Sequence, residues 1–393
     1  MKIMLANFTK MVADSGGMAK VTCAMANELQ HRGHTVALVY SDVQEGEFFY
    51  KLHSGIAAYD LRHFQGREIK YPLSLKLKRE VLRAVAPTKA ARTINDDFDE
   101  QYLLPNLQTI LAEVKPEVIV SFQPEAGKLL LCDAKTTIPV ISMSHGDPED
   151  YFHNYPVKEI PALEQSAICQ VLLPSFAQHL KNHLPGLRTV VIGNAVPQYQ
   201  EQADLAAAKQ TYKIFFVGRL AQQHKRPHLL LQAFAQLAAA FPNWIVELWG
   251  ADDGKIYRKR LEELITKEKL QERVFLKGST TNVSAVLAGG DIFVIPSAFE
   301  GFGLSLGEAM SMGLPAVGYK NCSAVNELIV DGQNGFLCDN GVDDLAAKLK
   351  ILMNDQQLRI KLGQKARKSM AAYAPEKIWD QWEALLKSLV KRQ

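Results

Sequence analysis

Short, unbroken apolar runs recur along the chain, each separated from the next by a longer stretch whose apolar positions repeat at helical spacing. In the first half they fall at residues 2–5, 35–40, 117–122, 139–142, 171–173 and 189–192. A strand wetted on one face alternates polar and apolar residues, whereas a run without alternation is a strand covered on both faces, as in parallel sheets built from βα units. A polar stretch, QYQEQADLAAAKQTYK, occupies residues 198–213 and reads as a linker. The alternation resumes at 214–217, 244–248, 273–276, 292–295 and 316–318. The tail from Pro375, through IWDQWEALLKSLV, has the pattern of an amphipathic helix. The pattern predicts two doubly wound α/β domains at 1–197 and 212–374, separated by a cleft, with a helix at 375–393 packing back onto the first.

Length agrees with this division, since 393 residues exceed the roughly 250 to 300 at which single cores stop growing. Charge narrows the function: 45 Lys plus Arg against 42 Asp plus Glu leave a net +3, without the strong positive field of a nucleic-acid binder. Five cysteines, an odd number without a CxxC pair, disfavour a disulfide framework or zinc site and fit a reducing cytoplasm. The opening MKIMLANFTKM reads as a first strand, not a signal peptide, and no apolar run approaches the roughly 18 residues of a spanning helix.

In doubly wound folds ligands sit at the carboxyl ends of strands, where helix N-termini favour anions. Gly16-Gly17 follows the first strand and precedes a helical pattern; it suits backbone approach to a phosphate or sugar, or merely a tight turn with a cap. It is not the dinucleotide fingerprint, because the third glycine is missing. Gly250-Ala251-Asp252-Asp253-Gly254-Lys255 is one residue short of a phosphate-binding loop and continues with Ile256, so it reads as a structural loop. Gly218-Arg219 directly follows the run at 214–217, and Lys225 lies six residues on; a guanidinium fork and an ammonium at a strand end suit a diphosphate, against the alternative of solvated surface cations. Most specific is the stretch 293–309, FVIPSAFEGFGLSLGEA. It holds a buried strand, a turn through Gly301, Phe302 and Gly303, and a helix opening near Leu304 and Ser305. Glu300 and Glu308 flank that turn. Carboxylates accept paired hydrogen bonds from vicinal hydroxyls while free amides neutralise phosphate charge.

This stretch resembles the signature of the retaining, nucleotide-sugar-dependent glycosyltransferases of family 4: two glutamates separated by seven residues, with GFG between them. The resemblance extends over nearly the whole chain, through Gly16-Gly17, Ser144-His145-Gly146, Pro174-Ser175, Ile192-Gly193-Asn194-Ala195-Val196, Gly218-Arg219 with Lys225, and NELIVDGQNGFL at 326–337. It implies a GT-B fold of two Rossmann-like domains, the first binding the acceptor and the second the nucleotide-sugar. It implies further that Arg219 and Lys225 hold the donor diphosphate in place of a metal, that no cofactor is used, and that Gly16 and Gly17 lie near the phosphates or the acceptor. Glu300 with the amides of Phe302, Gly303 and Leu304 would hold sugar hydroxyls, Leu304 and Ser305 would approach the phosphate, and Glu308 would take the ribose hydroxyls. Gly218 and Gly278 would border the donor, the latter near the base. His145, a lone histidine that without the resemblance would read as structural, would contact the donor sugar and support developing positive charge. Asp147 and Glu149 suit either an acceptor contact or capping of a following helix.

The expected activity is therefore metal-independent, retaining transfer of a hexose or N-acetylhexosamine from a nucleotide-diphosphate sugar, UDP-linked by preference, to a glycan or lipid-linked acceptor in surface polysaccharide, lipopolysaccharide or glycolipid assembly. Rivals are an epimerase of the same architecture acting on UDP-N-acetylglucosamine, which lacks the double-glutamate string, and a non-catalytic nucleotide-sugar binder. A basic segment at 76–92 holds Lys76, Lys78, Arg79, Arg83, Lys89 and Arg92 against Glu80, with Leu77, Val81 and Val85 at helical spacing. It reads either as a surface helix packing its apolar stripe on the core or as a peripheral contact with anionic membrane. An acidic run, Asp96, Asp97, Asp99 and Glu100, stands close enough to neutralise it. The location expected is the cytoplasm, with the inner face of the membrane as an extension.

Overall fold

The structure, a computed structural model, describes residues 1–86 and 88–390. The chain divides into two compact units, 1–193 with 379–393 and 194–378.

The first unit is built on β1 (Lys2–Asn7), β2 (Thr35–Tyr40), β3 (Ala57–Asp60), a small hairpin of β4 (His63–Phe64) and β5 (Arg67–Glu68), then β6 (Val118–Ser121), β7 (Val140–Met143), β8 (Ile168–Val171) and β9 (Thr189–Val191). Its main sheet runs β3-β2-β1-β6-β7-β8-β9, all parallel. Strands β6, β7 and β8 are buried along their whole length, the condition that removes polar alternation. The second unit holds β10 (Tyr212–Val217), β11 (Trp244–Trp249), β12 (Val274–Gly278), β13 (Ile292–Ile295), β14 (Ala316–Tyr319) and β15 (Gly335–Cys338). Its sheet order is β12-β11-β10-β13-β14-β15, also parallel. Strand order reverses beside β1 and β6 in one unit and beside β10 and β13 in the other, and such reversals open the crevices in which α/β proteins take ligands.

Four readings change. The polar stretch at 198–213 is not a free linker: Ala203 and Leu205 are buried. Gln198 Nε2 donates to the carbonyls of Val196 (2.9 Å) and Met370 (3.1 Å), Arg367 donates to the Tyr199 carbonyl (2.6 Å) and Gln356 to that of Leu205 (3.0 Å). Side chains of the helix Gln356–Met370 thus satisfy its backbone, and its last two residues already belong to β10. The run at 171–173 is mostly the buried exit from β8, whose residues are 168–171; Pro174 then opens the helix Pro174–His183. The basic helix Leu73–Val85 buries none of its residues. Leu73, Leu77, Val81 and Val85 are 82%, 69%, 53% and 75% exposed, so the apolar stripe does not pack on the core. The acidic run does not neutralise that stripe's cations either, since Asp96 and Asp97 pair with Lys158 and Glu100 with Lys128.

The C-terminal helix Pro375–Val390 buries Trp379, Trp382, Leu386 and Leu389. From Trp379 onward it clusters with the first unit, where Arg32 reaches Asp380 (2.7 Å) and Glu383 (3.3 Å), and His34 reaches Glu383 (3.2 Å). Among the described residues no helix is long and apolar enough to cross a membrane.

Candidate active site

In the second unit the ends of β10 and β13 place the predicted residues side by side. Strand β10 finishes at Val217, and Gly218 donates its amide to the Trp249 carbonyl (2.8 Å). The backbone of Gly250 comes so near that a Cβ there would lie 1.9 Å from the Gly218 carbonyl oxygen, which only glycine permits. Gly278 closes β12 and its carbonyl accepts the Gly250 amide (2.8 Å). Three strand ends are thereby knit together, and Arg219 emerges from them half exposed, with Asp253 4.0 Å away. Asp252 is taken by Arg258 (3.1 Å), in keeping with a structural loop.

Lys225 lies beyond this turn. Its ammonium contacts both oxygens of Glu300, at 2.6 and 2.7 Å, and Ser297 Oγ donates to the same carboxylate (2.6 Å). Glu300 is 8% exposed, so its charge is compensated at close range, as a buried carboxylate requires. The sequence reading did not single out Arg226, whose guanidinium donates to the carbonyls of Pro296 and Ser297 (both 2.9 Å) and to Asn340 Oδ1 (3.0 Å) while lying 5.1 Å from the Tyr319 ring. With the Ala298 amide on the His224 carbonyl (2.7 Å), it clamps the loop carrying Lys225 to the loop carrying Glu300. The only signal was another basic residue in QQHKRPH.

After Glu300 the chain turns through Gly301, buries Phe302 against Tyr373 (5.1 Å between ring centroids) and passes Gly303 at φ +76°. That left-handed conformation starts the helix Leu304–Ser311 with no side-chain cap, so the first amides, Leu304 and Ser305 among them, keep donors unspent by the helix. Glu308 is buried within it, and burial together with the nearby Glu308 charge pushes the Tyr199 phenol upward. The 326–337 motif turns out to be structural: Asp331 Oδ1 accepts the Leu337 amide (2.8 Å) and Asn334 Oδ1 that of Val330 (2.8 Å), shaping the approach to β15.

The first unit holds the remaining predicted residues. His145 follows β7 and stacks on Phe122, at the end of β6 (5.2 Å, 12° between planes). Its Nε2 is sealed from solvent and has no hydrogen-bond partner among the described residues. Burial lowers the imidazole to about 4, so at neutral pH it is uncharged, an uncommon state for an unpartnered ring nitrogen. Gly16 precedes the helix Gly17–His31, its amide on Asp14 Oδ1 (3.1 Å), and Gly17 is exposed. The loop before them is held by the buried Asp42, one of whose oxygens accepts the amides of Met11 and Val12 (both 2.8 Å). Asp147 accepts from the Glu149 amide (3.0 Å) and contacts His179 (2.6 Å), and Glu149 contacts His183 (2.9 Å) and His153 (3.1 Å). Both carboxylates therefore serve local structure here.

Two parallel-sheet α/β units with this strand order define the GT-B fold of glycosyltransferases. Over its full length the chain superposes on sucrose-phosphate synthase from Thermosynechococcus elongatus with a TM-score of 0.79 at 17% identity, covering 100% of both chains. It superposes equally broadly, at TM-score 0.76 and 16% identity with 98% and 100% coverage, on a TarM mutant from S. aureus solved with Fondaparinux, alpha-GlcNAc-glycerol and UDP. Residues 197–369 match the family model described as glycosyl transferases group 1, a match lying within the second unit and containing Gly218 through Glu308. Among sequence relatives, the poly(ribitol-phosphate) alpha-N-acetylglucosaminyltransferase of Staphylococcus aureus is 32% identical over 184 residues, 46% of this chain and 36% of that protein. The chain spans 55%, 21% and 28% of the length of the first curated relatives it matches.

Proposed function

We propose that this chain is a glycosyltransferase that moves a hexose or N-acetylhexosamine from a UDP-linked donor to a hydroxyl of a glycan or lipid-linked acceptor, retaining anomeric configuration and using no metal or other cofactor. The observation that carries this reading is the cluster at the ends of β10 and β13, with Arg219, the Lys225–Glu300 pair and the uncapped helix start after Gly303 on one loop system. The domain match to glycosyl transferases group 1 covers those loops, and the structural neighbour bound to UDP supports the choice of base.

In this reading the bond from the anomeric carbon to the diphosphate oxygen breaks, and the acceptor oxygen bonds to that carbon on the same face. The acceptor's proton passes to the departing phosphate. Arg219 and Lys225 supply the positive charge that a leaving diphosphate needs, and the amides of Leu304 and Ser305 add fixed dipoles. Sugar hydroxyls that engage Glu300 loosen its hold on Lys225, which turns the ammonium toward the phosphate. Glu308 takes ribose hydroxyls, Gly278 borders the base, and Gly16 and Gly17 leave room beside the phosphates. His145, held neutral, offers a lone pair beside a sugar carbon that gains positive charge.

The exposed stripe of the helix Leu73–Val85, flanked by Lys76, Lys78 and Arg83, supports peripheral contact with an anionic bilayer, where apolar side chains enter the interface and lysines meet lipid phosphates. Such contact suits a lipid-linked acceptor at the inner face of the membrane.

A thermal-shift panel of UDP-, GDP-, ADP- and CMP-sugars, followed by product analysis with EDTA present, tests the reading. Stabilisation by a UDP-sugar and EDTA-resistant turnover with retained configuration are expected. Stabilisation by none of the donors would overturn it.

A further inference from the structure

A pocket of about 350 Å³ opens in the first unit at the carboxyl ends of three neighbouring strands, within the size range of small-molecule sites. The exits of β1 (Phe8, Thr9, Lys10) and β2 (Ser41, Asp42) line it, together with Glu125 from beyond β6. Arg62, Tyr71, Arg79, Phe98 and Asp99 complete its walls. No motif in the sequence marks it.

The cations are placed by the core. Tyr71, Phe98 and Tyr102 stack in series (4.5 and 5.2 Å between centroids). The Arg62 guanidinium lies 4.7 Å from the Phe98 ring and that of Arg79 4.7 Å from the Tyr71 ring. Arg79 also donates to Asn95 (3.2 Å) and Glu80 (3.3 Å), whereas Arg62 uses its Nε on Ser41 Oγ (3.1 Å) and makes no hydrogen bond through its terminal nitrogens among the described residues. Asp99 and Glu125 line the same space, and among the described residues neither side chain has a hydrogen bond or ion pair. Both are only partly buried and meet water through the pocket mouth, so a ligand entering there displaces that water and has to supply donors in its place.

We propose that this pocket binds one neutral sugar ring of the acceptor, with Asp99 and Glu125 accepting from its hydroxyls and Arg62 donating to them. This deepens the transferase reading and rests on it for the word acceptor. The charged lining is balanced, Lys10, Arg62 and Arg79 against Asp42, Asp99 and Glu125, which favours a neutral polyol over an anion. Burial, with Glu125 beside it, raises Asp99 to about 7, and burial, with Asp96 beside it, raises Glu125 to about 7.

The test is saturation-transfer NMR on the full chain with methyl glycosides of glucose, galactose, mannose and N-acetylglucosamine, with and without UDP. Inorganic phosphate and glycerol phosphate are run alongside, followed by displacement. At least one glycoside should bind saturably, with affinity reduced about tenfold or more, the worth of one charge-assisted hydrogen bond, in Asp99→Ala and in the near-isosteric Glu125→Gln. UDP affinity should hold in both variants, and neither should melt below the parent. Absence of glycoside binding while UDP binds would overturn the pocket assignment and leave the transferase reading standing. Unchanged glycoside affinity in both variants would also overturn it, as would binding of the phosphates alone that is lost in Arg62→Ala. Glycoside binding that depends on Asp99 in a protein that takes no nucleotide-sugar would support the pocket and overturn the transferase reading.

Discussion

Lys225 and Glu300 stand 75 positions apart in the chain, yet the ammonium of one sits 2.6 and 2.7 Å from the two carboxylate oxygens of the other. The pair is partly buried, its lysine side chain 27% and its glutamate side chain 7% exposed. The lysine is therefore held in one place before any ligand arrives, and removing either member has distinct consequences.

Lys225→Ala leaves the Glu300 carboxylate with Ser297 alone and should lower stability by roughly 1 to 3 kcal/mol, the cost of an uncompensated buried acceptor. Glu300→Gln removes the charge but keeps the shape, so its urea midpoint should stay near that of the parent. Both should lose about a hundredfold or more in kcat/KM if they act on the donor. Steady-state kinetics beside urea denaturation checks this; normal turnover in Glu300→Gln would remove Glu300 from the site.

Two glycines should fail for different reasons. Gly250→Ala drives a Cβ to 1.9 Å from the Gly218 carbonyl oxygen, and only backbone movement relieves it, so a loss of roughly 3 kcal/mol is expected. Gly303→Ala meets Leu306 only at ordinary contact distance, 3.5 Å, but must hold φ +76°, costing roughly 1 to 2 kcal/mol. Gly303→Asn, which tolerates that conformation better, should recover part of the loss. Equal destabilisation by Gly303→Ala and Gly303→Asn would contradict the conformational account.

The pH dependence of stability should carry two opposed contributions. His145 is lowered in the fold from 6.5 to about 4. The unfolded chain then binds the extra proton between those values, and the fold weakens as pH drops through that window. Asp99 is raised from 3.8 to about 7 by burial, Glu125 and Asp96, against Arg62 and Lys128. Here the folded state binds the extra proton, so stability is lost as pH rises from about 4 to about 7. Asp99→Asn should therefore gain roughly 1 to 2 kcal/mol at pH 8, below the full linkage value because the pocket admits water, and almost nothing near pH 4. Urea titrations at both pH values decide; a larger gain in acid would reverse the assignment.

Membrane contact through the Leu73–Val85 helix should depend on its exposed stripe. Leu77→Glu with Val81→Glu removes apolar anchors and adds negative charge, without touching a buried residue. Co-sedimentation with phosphatidylglycerol vesicles at low salt should fall several-fold while the melting profile stays put. Equal sedimentation of parent and variant, or none by the parent, would refute the contact.

Composition and pattern alone determined that the chain is two α/β units, because strands such as β13 are apolar throughout, β2 is apolar after Thr35, and the intervening segments repeat at helical spacing. The glycine-rich turn between Glu300 and Glu308 was legible for a related reason: backbone that must turn left-handed and then start a helix demands glycine in the residue string itself. Strand β3 escaped notice because two of its four residues are exposed, and β4 and β5 because two residues cannot show a period. The stretch at 198–213 looked like a linker because its satisfaction comes from side chains of the Gln356–Met370 helix far along the chain. Only tertiary structure decided that Lys225 pairs with Glu300, that Arg226 clamps their loops, that the basic helix keeps its apolar stripe in solvent, and that Arg62, Asp99 and Glu125 meet in one pocket. Those residues lie on different elements, and their proximity follows from strand order and side-chain burial, which local periodicity does not encode.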